Sequence, residues 1–330
     1  MIAAVSLLAY TGLLLTAGAS QLVRAGWTDR APRLAIAAWL ALTSSAIGSV
    51  ILGGLALVVP TAGVSYHLAG LLAACAHDVR ARYGHPGGAA LAAAGVVLTF
   101  VVAARVGWCT ARMLVTARRD GQRHCQQLQA VGRADRRLGA VVVDYGEPAA
   151  YCLSGARQPI VLTTAAIEAL DDVQLTAVLA HERAHQRGHH HLVVRVAGSL
   201  AAAFPRVPAF RHGHERVAHL VELLADDEAA KTASRLKAAE ALLALSAPAL
   251  AAPLALGAGG SATGARIRRL LRTSAPLSRP RATAGMVTLV AALAFPFLAL
   301  SGPALTLIGS HCPDASAASP AKHPALGSSA

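Results

Sequence analysis

Apolar and polar positions along this chain are separated into long blocks. Four apolar blocks are each long enough to cross a bilayer core of about 30 Å, which takes roughly 20 helical residues; they are residues 1–23, 34–60, 88–104 with a weaker extension to about 117, and 282–310. The more polar stretch between the third and fourth blocks is long enough for one compact domain. The pattern predicts a mostly α-helical membrane protein with this division: three transmembrane helices in residues 1–115, an inserted domain in 116–281, a fourth transmembrane helix in 282–310 and a disordered tail in 311–330.

The composition agrees with a membrane protein, because 55% of the 330 residues are hydrophobic and only 14% are charged, which is more apolar than an average soluble domain. A cleaved signal peptide is the alternative for the first block, since small residues precede Gln21. A signal peptide carries basic residues before its apolar run, whereas Arg24, Arg30 and Arg33 follow this one. The order of charges favours a transmembrane helix that is retained.

The formal net charge of +13 is concentrated beside the apolar blocks. Arginines cluster after the first block, after the third and before the fourth, and the positive-inside rule places such loops in the cytoplasm. We therefore expect a multi-pass protein of the cell membrane with its N-terminus outside and its inserted domain cytoplasmic. In this interpretation the arginines set orientation and contact anionic lipids. Direct nucleic-acid binding is not expected, because no base-stacking aromatic residues are interleaved with the basic ones.

Two further apolar stretches do not fit the four-helix pattern. Residues 241–265 are uncharged and could cross a membrane by length alone, but the crossing would move the arginines of 266–281 to the outside, so a buried or interfacial position is favoured. Residues 192–210 are interrupted by arginine and proline and are expected to lie against the membrane surface. The five cysteines have no CxxC spacing, so no cysteine zinc site is indicated. A disulfide between Cys75 and Cys312 is an open alternative.

Short strands and two longer helices are predicted inside the polar domain. The strands are β-rich runs bounded by glycine, proline or aspartate: residues 140–145, 149–155 and 159–163. One helix is expected from an N-cap at Asp171 or Asp172 to a stop at Gly188, and another over about residues 215–236. A weaker helical pattern covers 121–138. Strands beside a helix of this kind would offer an edge on which an extended peptide can pair.

Two similar histidine motifs, HERAH at His181–His185 and HERVAH at His214–His219, differ by one inserted residue. A helix turns by about 100° per residue, so residues four apart lie about 40° apart on one face. The imidazoles of His181 and His185 can therefore converge on one ion. Residues five apart lie about 140° apart, so His214 and His219 point to different faces and cannot bind one metal as a pair.

HExxH on a helix is the pattern of a Zn²⁺ site with the glutamate, here Glu182, as general base. The alternative is a histidine-rich helix without an ion. Catalytic zinc needs a third protein ligand and an open position for water, and the carboxylate of Glu222 is the candidate ligand. Asp226 lies four residues further on the same face and is a candidate to hold a ligand imidazole by its second ring nitrogen. The alternative for both acidic residues is a solvated face.

Other histidines lie near this pattern. The run 189–191 follows Gly188, where the helix is predicted to end, and adjacent side chains do not converge well on one ion. A capping or surface role is therefore favoured over a second metal site. His219, three residues before Glu222, is either at the edge of the core or a neighbour of the active site.

HERAH, the later ELLADDEAA segment and GARIRRLL before the last apolar block, with three apolar blocks ahead of the domain, resemble the BlaR/MecR-type membrane zinc metallopeptidases. The resemblance covers about residues 34–310. It implies a gluzincin-like α+β peptidase domain facing the cytoplasm, with His181, His185 and Glu222 as zinc ligands and Glu182 as catalytic base. It also implies cleavage of a cytoplasmic transcriptional repressor, or self-cleavage. The Glu-x-x-x-Asp element is also similar to that of the membrane heat-shock and prenyl-protein proteases.

Two features depart from that family. His190 stands where the family often has aspartate, which leaves in doubt any role of this position in supporting the metal site. The chain has a tail where antibiotic-sensing members carry a penicillin-binding domain, so β-lactam sensing by this polypeptide is not expected. The expected function is a regulatory membrane zinc endopeptidase. The alternatives are a quality-control protease for damaged membrane proteins and a non-catalytic, zinc-stabilised signalling or scaffold protein; the sequence does not indicate the oligomeric state.

Overall fold

The computed structural model describes residues 2–58, 86–153, 159–251, 258–272 and 277–308. The helices in these residues are α1 Ile2–Leu13, α2 Ala19–Arg24, α3 Pro32–Val58, α4 Pro86–Val131, α5 Thr164–Ala169, α6 Asp172–Arg187, α7 His190–Ala203, α8 Pro208–Thr232, α9 Arg235–Ala251, α10 Ala258–Leu271 and α11 Arg279–Ile308. The strands are β1 Gly132–Asp135, β2 Ala140–Val143, β3 Ala150–Cys152 and β4 Ile160–Thr163. A π-helical turn, Leu14–Gly18, joins α1 to α2. The predicted tail 311–330 and the Cys75–Cys312 disulfide lie outside the described residues.

In the residues that the structure describes, four helical segments are long and apolar enough to cross a membrane: Ile2–Arg24, Pro32–Val58, Gly88–Val131 and Arg279–Leu300. They coincide with the four predicted apolar blocks. Many of their large apolar side chains are exposed, such as Phe100 (71%) and Phe297 (67%). Extended apolar surfaces of this kind are typical of contact with lipid or with another protein. These helices support a membrane protein.

Helix α4 continues far beyond the apolar part of its sequence. It is a single helix of 46 residues, Pro86–Val131, so the predicted extension to about residue 117 and the weaker pattern over 121–138 belong largely to the same helix. A helix of this length is about 70 Å long, roughly twice the thickness of a bilayer core. Its C-terminal half carries exposed arginines, among them Arg118 and Arg119, and leads directly into the sheet.

Close backbone contact and hydrogen bonds join the apolar helices. A Cβ added to Gly54 of α3 would lie 2.8 Å from the carbonyl oxygen of Gly95 in α4, so the two helices touch where neither residue has a side chain. Small residues at such a crossing are typical of membrane helices. The hydroxyls of Tyr10 and Ser45 each donate to the carbonyl of Ala292 at 2.8 Å, which ties α1 and α3 to α11.

The four strands form one sheet in the order β1-β2-β4-β3. β2 and β4 pair in parallel, and the two outer pairs are antiparallel. β2, β3 and β4 lie within the three predicted runs, whereas β1 has the polar sequence GRAD, which contains no apolar alternation to predict it. β3 is at the edge of the sheet. Because Ala149 bonds to Thr163 of β4 and Leu153 bonds to Pro159 through their backbones, the backbone groups of Ala150 and Cys152 point to the side away from β4.

The metal-motif helix α6 has the boundaries that the sequence predicts. Asp171 accepts a hydrogen bond from the backbone of Gln174, and the Gln174 side chain accepts one from the backbone of Asp171, which is a capping box. The helix ends at Gly188. Helix α8 begins at Pro208, earlier than the predicted 215, because proline suits the first turn of a helix.

The uncharged stretch 241–265 is divided between α9 and α10, with residues 252–257 outside the described chain. Ala241 is buried against the sheet and α6, together with Ile160 and Leu175. Leu270 of α10 is buried against Ala238 of α9. Of these residues only Ala241 belongs to the stretch, so the predicted buried or interfacial position stays a prediction for the rest of 241–265.

The α7–α8 hairpin packs directly on the apolar helices. Trp39 and Leu42 of α3 share one buried cluster with Val217 and Leu220 of α8. A Cβ added to Gly213 of α8 would lie 3.3 Å from the ring of Trp39. The hairpin contains most of the stretch 192–210 that was expected at the membrane surface, and this packing joins the domain to α3.

Candidate metal centre

The imidazoles of His181 and His185 lie together on one face of α6. Their Nε2 atoms are 3.1 Å apart, and only 15% and 10% of the two side chains are exposed. HERAH therefore has the geometry that its four-residue spacing predicts.

Glu222 of α8 completes a cluster of three ligand atoms. Its Oε2 lies 3.6 Å from Nε2 of His181, and its Oε1 lies 3.5 Å from Nε2 of His185. Ligand atoms around a tetrahedral Zn²⁺ with bonds of about 2.0–2.1 Å are roughly 3.3 Å apart, so the three residues fit one ion with little movement. Among the residues that the structure describes, no fourth His, Cys, Asp or Glu joins this cluster, which leaves a coordination position for water.

The second ring nitrogen of each histidine has its own partner. Nδ1 of His181 lies 3.2 Å from Oδ1 of Asp226, and Nδ1 of His185 lies 3.0 Å from Nδ1 of His190. Such contacts fix the ring orientation and leave Nε2 directed at the metal position. Asp226 has the position expected for it, four residues after Glu222 on the same face of α8.

His190 is buried, in contrast to the capping or surface role expected for the run 189–191. His189 is the residue before α7 and adopts a left-handed conformation, φ 47°, which turns the chain so that His190 contacts α6. Gly188 leaves the necessary space, because a Cβ there would lie 2.3 Å from Nε2 of His190. His190 therefore supplies an imidazole beside His185, at the position whose role the sequence left in doubt. Its spacing of five residues from His185 was the sequence signal for this contact.

Arg266 of α10 is a site residue that sequence reasoning did not assign. Its guanidinium donates to both carboxylate oxygens of Asp226, at 2.7 and 2.8 Å, and its Nη1 lies 3.1 Å from Oε2 of Glu222. Bidentate pairs of this kind are strong and directional. GARIRRLL contains three arginines, and the pattern alone does not show which of them turns inward.

The charges of the site are set by competition between burial and ion pairing. Burial opposes charge on Glu222 and Asp226, but His181 and Arg266 outweigh it and lower the pKa of each carboxyl to about 2. Burial also opposes charge on His181, yet its hydrogen bonds to Asp226 and Glu222 raise its pKa to about 9. Burial lowers the pKa of His185 to about 4. Two carboxylates therefore balance the charges of Arg266 and protonated His181 in the metal-free site, and a bound dication would replace the proton of His181.

Glu182 lies in the same cavity as the cluster without joining it. The cavity has a volume of about 340 Å³ and is lined by His181, Glu182, Glu222, Asp226 and Arg266 on one side and by mostly apolar residues on the other. Burial raises the pKa of Glu182, and its carboxylate accepts a hydrogen bond from the backbone of Cys152. A carboxyl with a raised pKa beside a metal position is suited to act as a general base.

The two histidines of HERVAH lie apart, as their spacing predicts. His214 faces α7, where a Cβ added to Gly198 would lie 3.2 Å from its ring. His219 faces the loop between α2 and α3, with its Nε2 3.9 Å from Oδ1 of Asp29, and lines a separate cavity. The structure does not bring His219 to the ligand cluster.

Residues 117–220 match the model of Peptidase family M48. The matched range includes the end of α4, the sheet, α6 with HERAH, and α8 as far as Leu220. Comparisons with curated proteins and with solved structures gave no match. The finer resemblance to BlaR/MecR-type enzymes stays a prediction. The similarity to family M48 over this part of the chain and the three converging ligand residues together support a metallopeptidase.

Proposed function

We propose that this protein is a membrane-bound zinc endopeptidase with His181, His185 and Glu222 as ligands. The observation that carries the proposal is that the Nε2 atoms of His181 and His185 lie 3.1 Å apart and each within 3.6 Å of a Glu222 carboxylate oxygen, beside the buried Glu182. A structural zinc site would be closed by four protein ligands. The described residues supply three ligands to a cluster that borders a cavity, which favours catalysis over a purely structural or scaffold role.

The side chains around the cluster have separate chemical tasks. Zn²⁺ bound there would polarise the scissile carbonyl and lower the pKa of a water molecule. Glu182 takes the proton of the attacking water on its carboxylate and returns it to the leaving amine. Asp226 and His190 fix the orientation of the two imidazoles. Arg266 holds the carboxylates of Glu222 and Asp226 in position.

The side of β3 away from β4 is the proposed binding surface for the substrate backbone. Ala150 directs its backbone groups to this side, where an extended peptide can pair with it as an added strand, next to the Cys152 backbone N–H that donates to Glu182. Ala149 and Ala150 also line the cavity that contains Glu182 and Glu222, so a peptide on this edge would pass the metal position.

The apolar part of the cavity indicates a preference at the cleavage site. Apart from Ala149 and Ala150 on β3, its apolar walls consist mainly of helical alanines and leucines: Ala177, Ala229, Ala238, Ala241, Leu242 and Leu245. Alanines leave space, and an apolar side chain that fills it gains about 25 cal/mol for each Å² of apolar surface buried. We therefore propose a bulky apolar residue beside the scissile bond.

The cytoplasm is the proposed location of the peptidase domain. Arg24, Arg30 and Arg33 lie at the ends of α2 and α3 nearest the domain, and Arg279 and Arg281 begin α11, which agrees with the positive-inside rule. A cytoplasmic protein such as a transcriptional repressor is then the proposed substrate, and the proposed role is regulatory.

Glu182→Gln tests the proposal, because it removes the base and keeps the size of the side chain. Zinc content measured by elemental analysis should stay at the wild-type level, while cleavage should fall about 100-fold or more. Glu168→Gln is the matched control, since Glu168 is exposed on α5 and away from the cavity lining.

The same variants, expressed in cells, identify the kind of substrate. Cytoplasmic protein fragments present with wild type and Glu168→Gln, but absent with Glu182→Gln, should derive from one or a few proteins if the role is regulatory. Fragments of many damaged membrane proteins would instead indicate quality control. Wild-type cleavage by Glu182→Gln would contradict the catalytic assignment.

A further inference from the structure

A second cavity, of about 410 Å³, lies between the loop joining α2 to α3, helix α8 and helix α10. Four arginines line it, together with Asp29 and His219: Arg30, Arg268, Arg269 and Arg272. It shares no lining residue with the cavity of the metal cluster. No task in the proposed peptidase reaction requires these arginines.

Most of the positive charge in this cavity is not neutralised. Arg269 pairs with Asp227 at 2.8 and 3.0 Å, and the carboxylate of Asp29 already accepts a hydrogen bond from Arg216 at 3.0 Å. In the described parts of the chain, none of the ion pairs to a carboxylate involves Arg30, Arg268 or Arg272. Three guanidinium groups therefore border the cavity without a neutralising partner.

The cavity lies at the level where apolar helices meet the polar domain. The loop that lines it follows Arg24, the end of one candidate span, and precedes Pro32, the start of the next. A Cβ added to Gly285 would lie 2.9 Å from Cδ2 of Leu34, so the start of α11 packs beside the start of α3. Three candidate spans thus begin or end close to this cavity, which is the expected depth of lipid head groups.

We propose that this cavity binds the phosphate group of an anionic lipid. Guanidinium groups match phosphate oxygens in charge and geometry, and basic pockets between transmembrane helices are suited to lipid head groups. A soluble phosphate offers the same oxygens, but the position of the cavity at the ends of the apolar helices favours a lipid. The proposal rests on the membrane location proposed above and not on the peptidase activity.

A lipid bound here would contact α8, which carries Glu222, and α10, which carries Arg266. Arg269 is one turn after Arg266 on α10, and it also donates to the carbonyl of Asp29 at 3.1 Å. On α8, His219 is three residues before Glu222. The lipid would therefore stabilise the position of the α2–α3 loop against α8 and α10.

Native mass spectrometry of the full chain in detergent, with phosphatidylglycerol or an equal concentration of phosphatidylcholine, tests the proposal. Wild type should retain phosphatidylglycerol in preference. Arg268→Gln/Arg272→Gln removes two exposed charges and should weaken that binding about 30-fold, from the worth of two arginines at a lipid surface. Arg118→Gln/Arg119→Gln is the matched control, because it removes the same charge from an exposed part of α4.

Three outcomes would overturn the proposal. Equal losses of phosphatidylglycerol binding in the two double variants would show that general surface charge is responsible. Retention of phosphatidylcholine as strongly as phosphatidylglycerol would show that the site does not select an anionic lipid. Displacement of the lipid by millimolar inorganic phosphate would identify a soluble anion as the occupant. Glu182→Gln should bind the lipid as wild type does, so a failure of the peptidase assignment remains distinguishable from a failure of the lipid site.

Discussion

Replacing Gly188 with alanine tests whether His190 holds His185 in place. The added Cβ would lie 2.3 Å from Nε2 and 2.5 Å from Cδ2 of His190, which is much closer than non-bonded atoms approach. The backbone of Gly188 has φ −81° and ψ −2°, which alanine can adopt. The methyl group therefore acts through this contact, and we expect it to displace His190 from His185.

The magnitude follows from the two consequences of that displacement. Loss of the partner of a metal-ligating histidine typically lowers metal affinity about 10- to 100-fold, or about 1.4–2.8 kcal/mol. Overpacking lowers the free energy of unfolding by a further ~1–3 kcal/mol. His190→Ala should lower zinc affinity by a similar factor, without the overpacking. In the double variant the new methyl has space, so its zinc affinity should equal that of His190→Ala alone.

Competition with a chromophoric chelator measures the zinc affinity, and thermal unfolding of the metal-free protein measures the overpacking. Gly146→Ala is the control, because a Cβ there would meet nothing within 4 Å. Wild-type zinc affinity in Gly188→Ala, or additive losses in the double variant, would refute the positioning role of His190.

Three further predictions concern other contacts. Asp226→Asn removes the buried charge that pairs with Arg266 and should cost about 3 kcal/mol in chemical denaturation; a loss below about 1 kcal/mol would contradict a strong pair. Trp39→Ala should cost about 3–5 kcal/mol, because Trp39 is only 1% exposed between α3 and α8; an unchanged melting temperature would argue against that interface. Burial raises the pKa of Cys152 to about 11, so at pH 8 only about one thiol in a thousand is ionised. Iodoacetamide should therefore label Cys152 far more slowly in the folded protein than in the denatured protein, which peptide mass spectrometry measures. Equal labelling would contradict its buried position.

The apolar helices and the metal helix follow from short-range signals. Each apolar block contains its own hydrophobic length, and α6 contains its own start, at the Asp171 capping box, and its own stop, at Gly188. The convergence of His181 and His185 depends only on the helical repeat. These features needed no knowledge of the rest of the chain.

The partners of the metal ligands depend on contacts between distant segments. Arg266 is 40 residues from Asp226 in sequence, and nothing in a pattern of three arginines shows which one meets a carboxylate. His190 reaches His185 only because His189 adopts φ 47°, a conformation that is uncommon for residues other than glycine. The placement of Glu222 was within reach of spacing arguments, because Asp226 shares its helix face, but the distances that define the cluster required the packing of α8 against α6.

Helix α8 makes the metal centre sensitive to the position of a helix proposed to cross the membrane. Gly213 touches Trp39, and Glu222 lies nine residues further along the same uninterrupted helix, a distance of about 13.5 Å. A tilt of about 5° about the Trp39 contact would move Glu222 by roughly 1 Å, whereas metal–ligand bonds tolerate about ±0.2 Å. A change in bilayer thickness, or a protein bound beside α3, would therefore move Glu222 relative to His181 and His185 by more than a metal site tolerates.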